Sequence, residues 1–223
     1  MLSPRVRALL LRLTAWWAPL LALVTVTAPP VAEAAPKTAA PIAPYAFEAT
    51  QARGSYQAVG WNPCRAISVR VNLAHAPRHS LRVVQQALTQ VAAATGIDIR
   101  YAGLSHHTPG FLRHYGVLVA WSTPARQRTL AGPIVGLGAS RWRQPAGGSR
   151  HYVRGAVTLD GPALRHAGAA RQLAVLEHEL GHVMGLAHVG DRNQLMYPVI
   201  GRVSSYAAGD LAGLAALGSL PCS

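Results

Sequence analysis

Acidic residues are scarce in this chain of 223 residues. Eight Asp and Glu stand against 21 Lys and Arg, which gives a formal net charge of +13 at pH 7. A surface of this kind attracts anionic polymers, so we expect loose binding to partners such as cell-wall acids. The basic residues, nearly all arginine, are scattered singly, and the sequence lacks a nucleic-acid-binding motif. Specific nucleic-acid binding is therefore not expected.

Cysteine is scarce as well, with only Cys64 and Cys222. In an oxidising compartment these two residues are expected to form a disulfide. A bond that closes so long a loop would stabilise the fold by roughly 4–5 kcal/mol in the chain-entropy model. Two alternatives stay open at this point: the thiols are both free, or Cys64 reaches a metal.

Long apolar runs are confined to the N-terminus. Arg5, Arg7 and Arg12 precede an apolar run that ends near Ala28, and the small residues around Glu33 resemble a cleavage site. This pattern predicts a secretory signal peptide over residues 1–34. Proline interrupts the run, which disfavours a membrane anchor. We therefore expect a secreted protein without a membrane span in its mature form.

The rest of the chain divides at about residue 60. Residues 35–60 are rich in alanine and proline and predict a flexible leader or short pro-segment. Residues 61–223 suffice for one domain, which we expect to be monomeric. Alternating and helical patterns predict strand, helix, four strands and two helices, a mixture typical of a mostly parallel sheet with one reversed edge strand. The predicted elements are strand 66–73, helix 80–96, strands 97–103, 117–122, 134–142 and 151–160, and helices 169–185 and 209–217.

The first predicted helix is assigned from its ends and its apolar face. Ser80 is expected to be the N-cap, and Gly96 follows the last turn. The apolar face is predicted to contain Leu81, Val84, Leu88 and Val91.

The segment HELGHVMGLAH, residues 178–188, carries the clearest chemistry. His178 and His182 are four residues apart and would lie on one face of a helix. A left-handed Gly185 would end the helix and return His188 to the same point. Three imidazoles with one open position are typical of a catalytic zinc site. Glu179 lies beside them and would act as the general base toward a water molecule made more acidic by the metal.

At these residues the sequence resembles the metzincin metallopeptidases, whose signature HExxHxxGxxH is followed by a methionine turn. Residues 194–198, QLMYP, are similar to the turn of the matrixin branch. The resemblance implies that Met196 forms an apolar floor beneath the histidines and that Tyr197 and Pro198 begin a pocket wall. It also implies that Asp210 holds the turn through backbone hydrogen bonds. A second interpretation of Asp210, a charge near a helix N-terminus, is compatible with the first.

The resemblance also implies the fold. We expect an α/β (α+β) metzincin-like domain with a twisted five-stranded mixed sheet, one antiparallel edge strand, an active-site helix, a methionine turn and a C-terminal helix. Strand 134–142 would be the edge strand that pairs with an extended substrate. One catalytic Zn²⁺ is expected. Structural calcium and a second zinc are not, since the acidic runs and the spaced histidines that hold them in relatives are missing.

Two functions are compatible with these features. The first is a secreted zinc endopeptidase that hydrolyses peptide bonds in protein or peptide substrates. An apolar specificity pocket is predicted from Val175, Leu176, Leu186 and residues 198–200. The second is a non-catalytic cationic protein that binds a cell surface or a polyanion. Intact Glu179 favours the peptidase, since a binding protein has no use for the base.

Overall fold

The computed structural model describes residues 45–52 and 55–223. The predicted signal peptide (1–34) and residues 35–44 of the predicted leader lie outside the described residues. None of the described helices is long and apolar enough to cross a membrane. The elements in chain order are β1 (Ala46–Phe47), β2 (Gly60–Trp61), β3 (Ile67–Asn72), α1 (Ser80–Thr95), β4 (Ile99–Leu104), β5 (Gly116–Ser122), a 3₁₀ turn (Arg128–Leu130), β6 (Gly136–Arg143), β7 (His151–Asp160), α2 (Gly161–Leu164), α3 (Ala169–Met184), β8 (Leu186–Ala187) and α4 (Ala208–Gly218).

The main sheet has the strand order β4-β3-β5-β7-β6, with the short β2 also paired to β7. Strands β4, β3, β5 and β7 are parallel, and β6 runs antiparallel to β7. Every residue of the central strand β5 is buried, as expected for a parallel strand covered on both faces. The predicted mixed sheet with one antiparallel edge strand is therefore confirmed. It has six strands instead of the predicted five, because the short β2 joins it beside β7.

The helices pack on one another and on the sheet. Helix α1 contacts both α3 and α4, and α3 also contacts the strands β6 and β7. The core they share includes Val84 and Val91 of α1, Leu176 of α3 and Leu214 of α4, each almost fully buried. A smaller cluster of Leu112, Leu118 and Ala120 stands apart from this core.

The start of α1 differs from the prediction. His79, with φ of 64°, is the N-cap, and Ser80 is the first helical residue. The Ser80 hydroxyl donates to the carbonyl of Pro77, three residues back, instead of accepting from the helix. The predicted apolar face was also partly wrong, because Val83 is buried and Leu81 is not. The helix is covered by α3 and α4 over a broader stripe that includes Ala87.

Residues 45–52 and 55–60, which belong to the predicted leader, pack against the domain in this structure. β1 pairs antiparallel with β8, and β2 extends the main sheet beside β7. Val59 is fully buried. Removal of a leader stays a prediction, but these residues contribute contacts to the fold.

The ends of the domain are joined covalently. Cys64 and Cys222 form a disulfide, with Cα atoms 5.6 Å apart and a separation of 158 positions in sequence. Asn62 supports this junction, because its side-chain amide donates to the carbonyl of Ser223 and its oxygen accepts from the Cys64 backbone. With its sulfur in the disulfide, Cys64 is not a free thiol facing the histidines.

Candidate metal centre

The C-terminal half of α3 carries His178 and His182 on one face, one turn apart. Gly185 ends the helix with φ of 124°, a backbone conformation that residues with a side chain rarely adopt. A Cβ at this position would also lie 3.2 Å from the Val59 carbonyl oxygen. The chain can therefore reverse there, and β8 brings His188 back to the other two histidines.

The three imidazoles converge through their Nε2 atoms. The Nε2 of His178 lies 3.1 Å from that of His188 and 3.2 Å from that of His182, and the His182–His188 distance is 3.1 Å. Nitrogen ligands of a tetrahedral zinc ion, each at about 2.0–2.1 Å, would be about 3.3 Å apart. The spacing in the structure is close to that value.

The opposite ring nitrogens fix the tautomers of two histidines. The Nδ1–H of His178 donates to the Leu195 carbonyl at 2.7 Å. The Nδ1–H of His182 lies 2.9 Å from two acceptors, the Leu186 carbonyl oxygen and Glu48 Oε1. The Nε2 lone pairs of these rings are therefore free and directed at one point, where they would repel each other without a cation. This donor set fits zinc, and the three histidines form a metal-ligand group among the described residues.

Burial keeps His178 in the form that a metal needs. It lowers the pKa of this imidazole to about 4, so the ring is neutral near pH 7. Burial also lowers the pKa of His188. For His182, burial acts in the same direction, but the hydrogen bond to Glu48 and the negative charge of Glu179 outweigh it and raise the pKa.

Glu179 lies between the helix and the edge strand β6. Burial raises the pKa of its carboxyl group to about 7. A Cβ added to Gly136 would be 2.6 Å from Glu179 Oε1, and one added to Gly138 would be 2.1 Å from the Glu179 carbonyl oxygen. The two glycines therefore allow β6 to lie directly against Glu179, a reason for the glycine-rich sequence that strand patterning alone did not supply.

The methionine turn packs against helix α3. Met196 is almost fully buried, and a Cβ on Gly181 would lie 2.5 Å from its sulfur. Gly181 stands between His178 and His182 on α3, so Met196 packs against the backbone that carries these two histidines. Its role as an apolar floor beneath them stays a prediction.

Asp210 of α4 holds this turn in place. Its carboxylate accepts from the backbone N–H groups of Leu195 and Met196, at 2.7 and 3.2 Å, and also from the N–H of Ala207, the N-cap of α4. Both interpretations of Asp210 are thus compatible with its contacts. Gln194 reciprocates, because its Oε1 accepts from the N–H groups of Gly209 and Asp210. The Leu195 carbonyl accepts the hydrogen bond from His178. Helix α4 therefore positions this histidine indirectly, through Asp210 and the methionine turn.

The site opens into a cleft of about 530 Å³. Val199 and Ile200 contribute apolar surface to it, whereas Tyr197 lies under the Arg192 guanidinium, 5.5 Å from ring centroid to Cζ. The proposed pocket roles of Val175, Leu176 and Leu186 were wrong, because these side chains are buried in the core. The cleft is lined by Glu48, Pro133, Ile134, Val135, Gly136, Leu137, Gly138, Arg171, His178, Glu179, His182, His188, Pro198, Val199 and Ile200.

Glu48 is the site residue that sequence reasoning missed. It lies 134 positions before its partner His182, within a segment whose alanine and proline content predicted a leader. A single carboxylate in such a segment gives no local signal. Only the pairing of β1 with β8 places it beside the histidine.

Comparison with known proteins identifies the family of the chain. The model of the matrixin peptidases matches residues 79–217, well over half of the chain. Curated protein sequences give no significant match. Among solved structures, the archaemetzincin of Methanopyrus kandleri is similar at a TM-score of 0.46 and 15% identity, over 67% of this chain and 93% of that one. On the strength of the match over residues 79–217, the chain belongs to the matrixins, a metzincin family of zinc-dependent peptidases.

Proposed function

We propose that this protein is a secreted endopeptidase that uses one zinc ion held by His178, His182 and His188. The observation that carries the proposal is the convergence of three Nε2 atoms at 3.1–3.2 Å, with two tautomers fixed by hydrogen bonds on the far side of the rings. When bound, the zinc would act as a Lewis acid that makes a water molecule more acidic and polarises the peptide carbonyl.

Glu179 is the proposed general base. Its carboxylate would accept a proton from the attacking water and return it to the departing amine of the cut peptide. Burial raises the pKa of this carboxyl group to about 7. At neutral pH such a group can both accept the proton of the water and donate it to the departing amine. Gly136 and Gly138 let the strand β6 close over the base, which limits the access of bulk water to it.

The edge strand supports endopeptidase rather than terminal cleavage. Within the described residues β6 pairs only with β7, so its other edge remains available to an extended peptide. Ile134, Val135 and Leu137 lie along the cleft on this side, and Val199 and Ile200 lie across it. A substrate bound by strand addition would extend on both sides of the cut bond, with apolar side chains favoured near it.

Secretion and the partners outside the cleft belong to the same proposal. The N-terminal sequence and the Cys64–Cys222 disulfide support an exported protein, because such bonds persist in oxidising compartments. The excess of arginine supports loose association with anionic cell-wall polymers. We expect the enzyme to act as a monomer on protein or peptide substrates.

The substitution Glu179→Gln tests the mechanism. It keeps the size of the side chain but removes the proton acceptor, so cleavage of unfolded casein should fall by about 10²–10⁴-fold. Metal analysis should still find one zinc per chain. Glu177→Gln is the matched control, since Glu177 is a buried neighbour on the same helix that does not line the cleft. It should retain both zinc and activity.

Three results would contradict the proposal. Equal cleavage by Glu179→Gln would remove the base from the mechanism. Zinc content that is unchanged by His182→Ala would contradict the ligand set. If zinc-loaded wild-type protein cuts no peptide in a diverse library, the non-catalytic binding function replaces the peptidase.

A further inference from the structure

Among residues 45–52 and 55–223, Glu48 is the single acidic side chain that hydrogen-bonds to a metal-site imidazole on the side away from the other two histidines. Its Oε1 lies 2.9 Å from His182 Nδ1, opposite the Nε2 atom that faces the other histidines. The Glu48 side chain is about half exposed, whereas that of His182 is nearly buried.

The same segment also holds the chain that carries His188. Ala46 and Phe47 pair with Ala187 and Leu186 of β8, and the N–H of Glu48 donates to the Gly185 carbonyl at 2.9 Å. These three partners make up the whole connection between α3 and His188. The Leu186 carbonyl, the second acceptor of His182 Nδ1–H, belongs to this paired strand.

Both short strands, β1 and β8, pack on helix α4 at Gly213. A Cβ added to Gly213 would be 2.7 Å from a methyl carbon of Leu186 and 2.9 Å from the Cβ of Tyr45. The glycine therefore lets the start of β1 and the chain of β8 lie directly on α4. The position of Glu48 is set from three sides, by β8, by α4 and by the hydrogen bond to His182.

We propose that residues 45–48 are a clasp that positions two of the three zinc-binding histidines, and that Glu48 is a positioning residue of the active enzyme rather than part of a discarded leader. Carboxylates that accept from the far nitrogen of a metal-bound histidine fix its tautomer and orientation, and their loss typically weakens metal binding by about 10–100-fold. Since the Leu186 carbonyl shares the same N–H, we expect an effect at the lower end of that range. The inference rests on the zinc site proposed above.

The test measures zinc affinity rather than turnover. The full secreted chain and its variants are titrated with zinc against a competing chelator. Glu48→Ala should raise the zinc dissociation constant about tenfold, and Glu48→Gln, whose amide oxygen can accept the same hydrogen bond, should restore most of the loss. Asp98→Ala removes one negative charge from an exposed pair with Arg100 and should leave the constant unchanged. Cobalt-loaded Glu48→Ala should also show an altered visible spectrum, because the ligand geometry changes.

Each result bears on the inference. If Glu48→Ala binds zinc as tightly as wild type, the clasp is overturned. This holds also when the variant has a changed KM, since Glu48 would then act on the substrate from the cleft and not on the metal site. An active enzyme whose N-terminus, determined by mass spectrometry, begins after Glu48 overturns it too. If the wild-type protein binds no zinc at all, the proposed metal site fails and the clasp fails with it. If wild type binds zinc tightly, any difference in the Glu48 variants reports on the clasp alone.

Discussion

The two edge strands of the sheet have different surroundings. β6 lies against α3, with Gly136 and Gly138 in close contact with Glu179, and its outer edge faces the cleft. β4, at the other end of the sheet, has exposed Tyr101 and Leu104 and a surface ion pair between Arg100 and Asp98. Charged side chains on an edge strand discourage pairing with other chains. One edge thus packs closely on α3 and borders the cleft, and the other carries charge that disfavours strand pairing.

The difference lies in what each edge can tolerate. On β6 a single carbon added at Gly136 or Gly138 meets α3, so the strand has no room for a side chain at these two positions. On β4 most side chains extend into solvent or lie only half buried. Substitutions on β6 should therefore change activity, and comparable substitutions on β4 should not.

The largest effect is expected for Gly138→Ala. Its Cβ would be 2.1 Å from a backbone oxygen of Glu179, so the strand and helix must separate. Overpacking of this kind costs about 3 kcal/mol, and displacement of the base should reduce cleavage by at least about 100-fold. Thermal unfolding and casein cleavage measure the two effects. Gly190→Ala, at a position with open space, is the control, and an unaffected Gly138→Ala would show that the close contact is unimportant.

Gly136→Ala should separate activity from stability. The added carbon meets the Glu179 side chain, at 2.6 Å from Oε1, and a side chain can move where backbone cannot. We expect cleavage to fall by about 100-fold, the typical result of misplacing a catalytic group by 1 Å. Zinc content and unfolding temperature should stay near those of wild type. A loss of zinc in this variant would instead mean that β6 supports the metal site itself.

A smaller effect is expected from placing one charge on each edge. Leu137 lines the cleft on β6 and Leu104 is exposed on β4. Leu137→Lys should raise KM for apolar peptides about tenfold, since it replaces a hydrophobic contact worth about 1.4 kcal/mol or more. Leu104→Lys should leave KM within about twofold. Similar KM values for the two variants would contradict substrate pairing along β6.

The edge strands also show what the sequence could and could not predict. The histidine helix is encoded locally, by the spacing of His178 and His182, and was predicted. The reversed edge strand was expected from the order of the elements, and its assignment to residues 134–142 came from the family resemblance. The contact of Gly138 with Glu179 joins residues far apart in sequence. The sequence pattern therefore predicted a weak strand at residues 134–142 but could not explain why it contains glycines. Glu48 was missed for the same physical cause, because only the folded chain brings β1 to β8. The N-cap of α1 was misplaced since the Ser80 hydroxyl bonds backwards to Pro77.

The disulfide has a consequence for the lifetime of a peptidase that is exposed to its own activity. Cys64 and Cys222 enclose β3 to α4 and all three metal-site histidines in one covalent ring. A single cut at any loop within that ring opens it to a linear chain without releasing a fragment, so a nicked molecule can keep its zinc site. The clasp of residues 45–48 lies outside the ring. A cut between Glu48 and Cys64 would detach it, so in that short stretch one hydrolysis event would remove the clasp and weaken zinc binding by about tenfold.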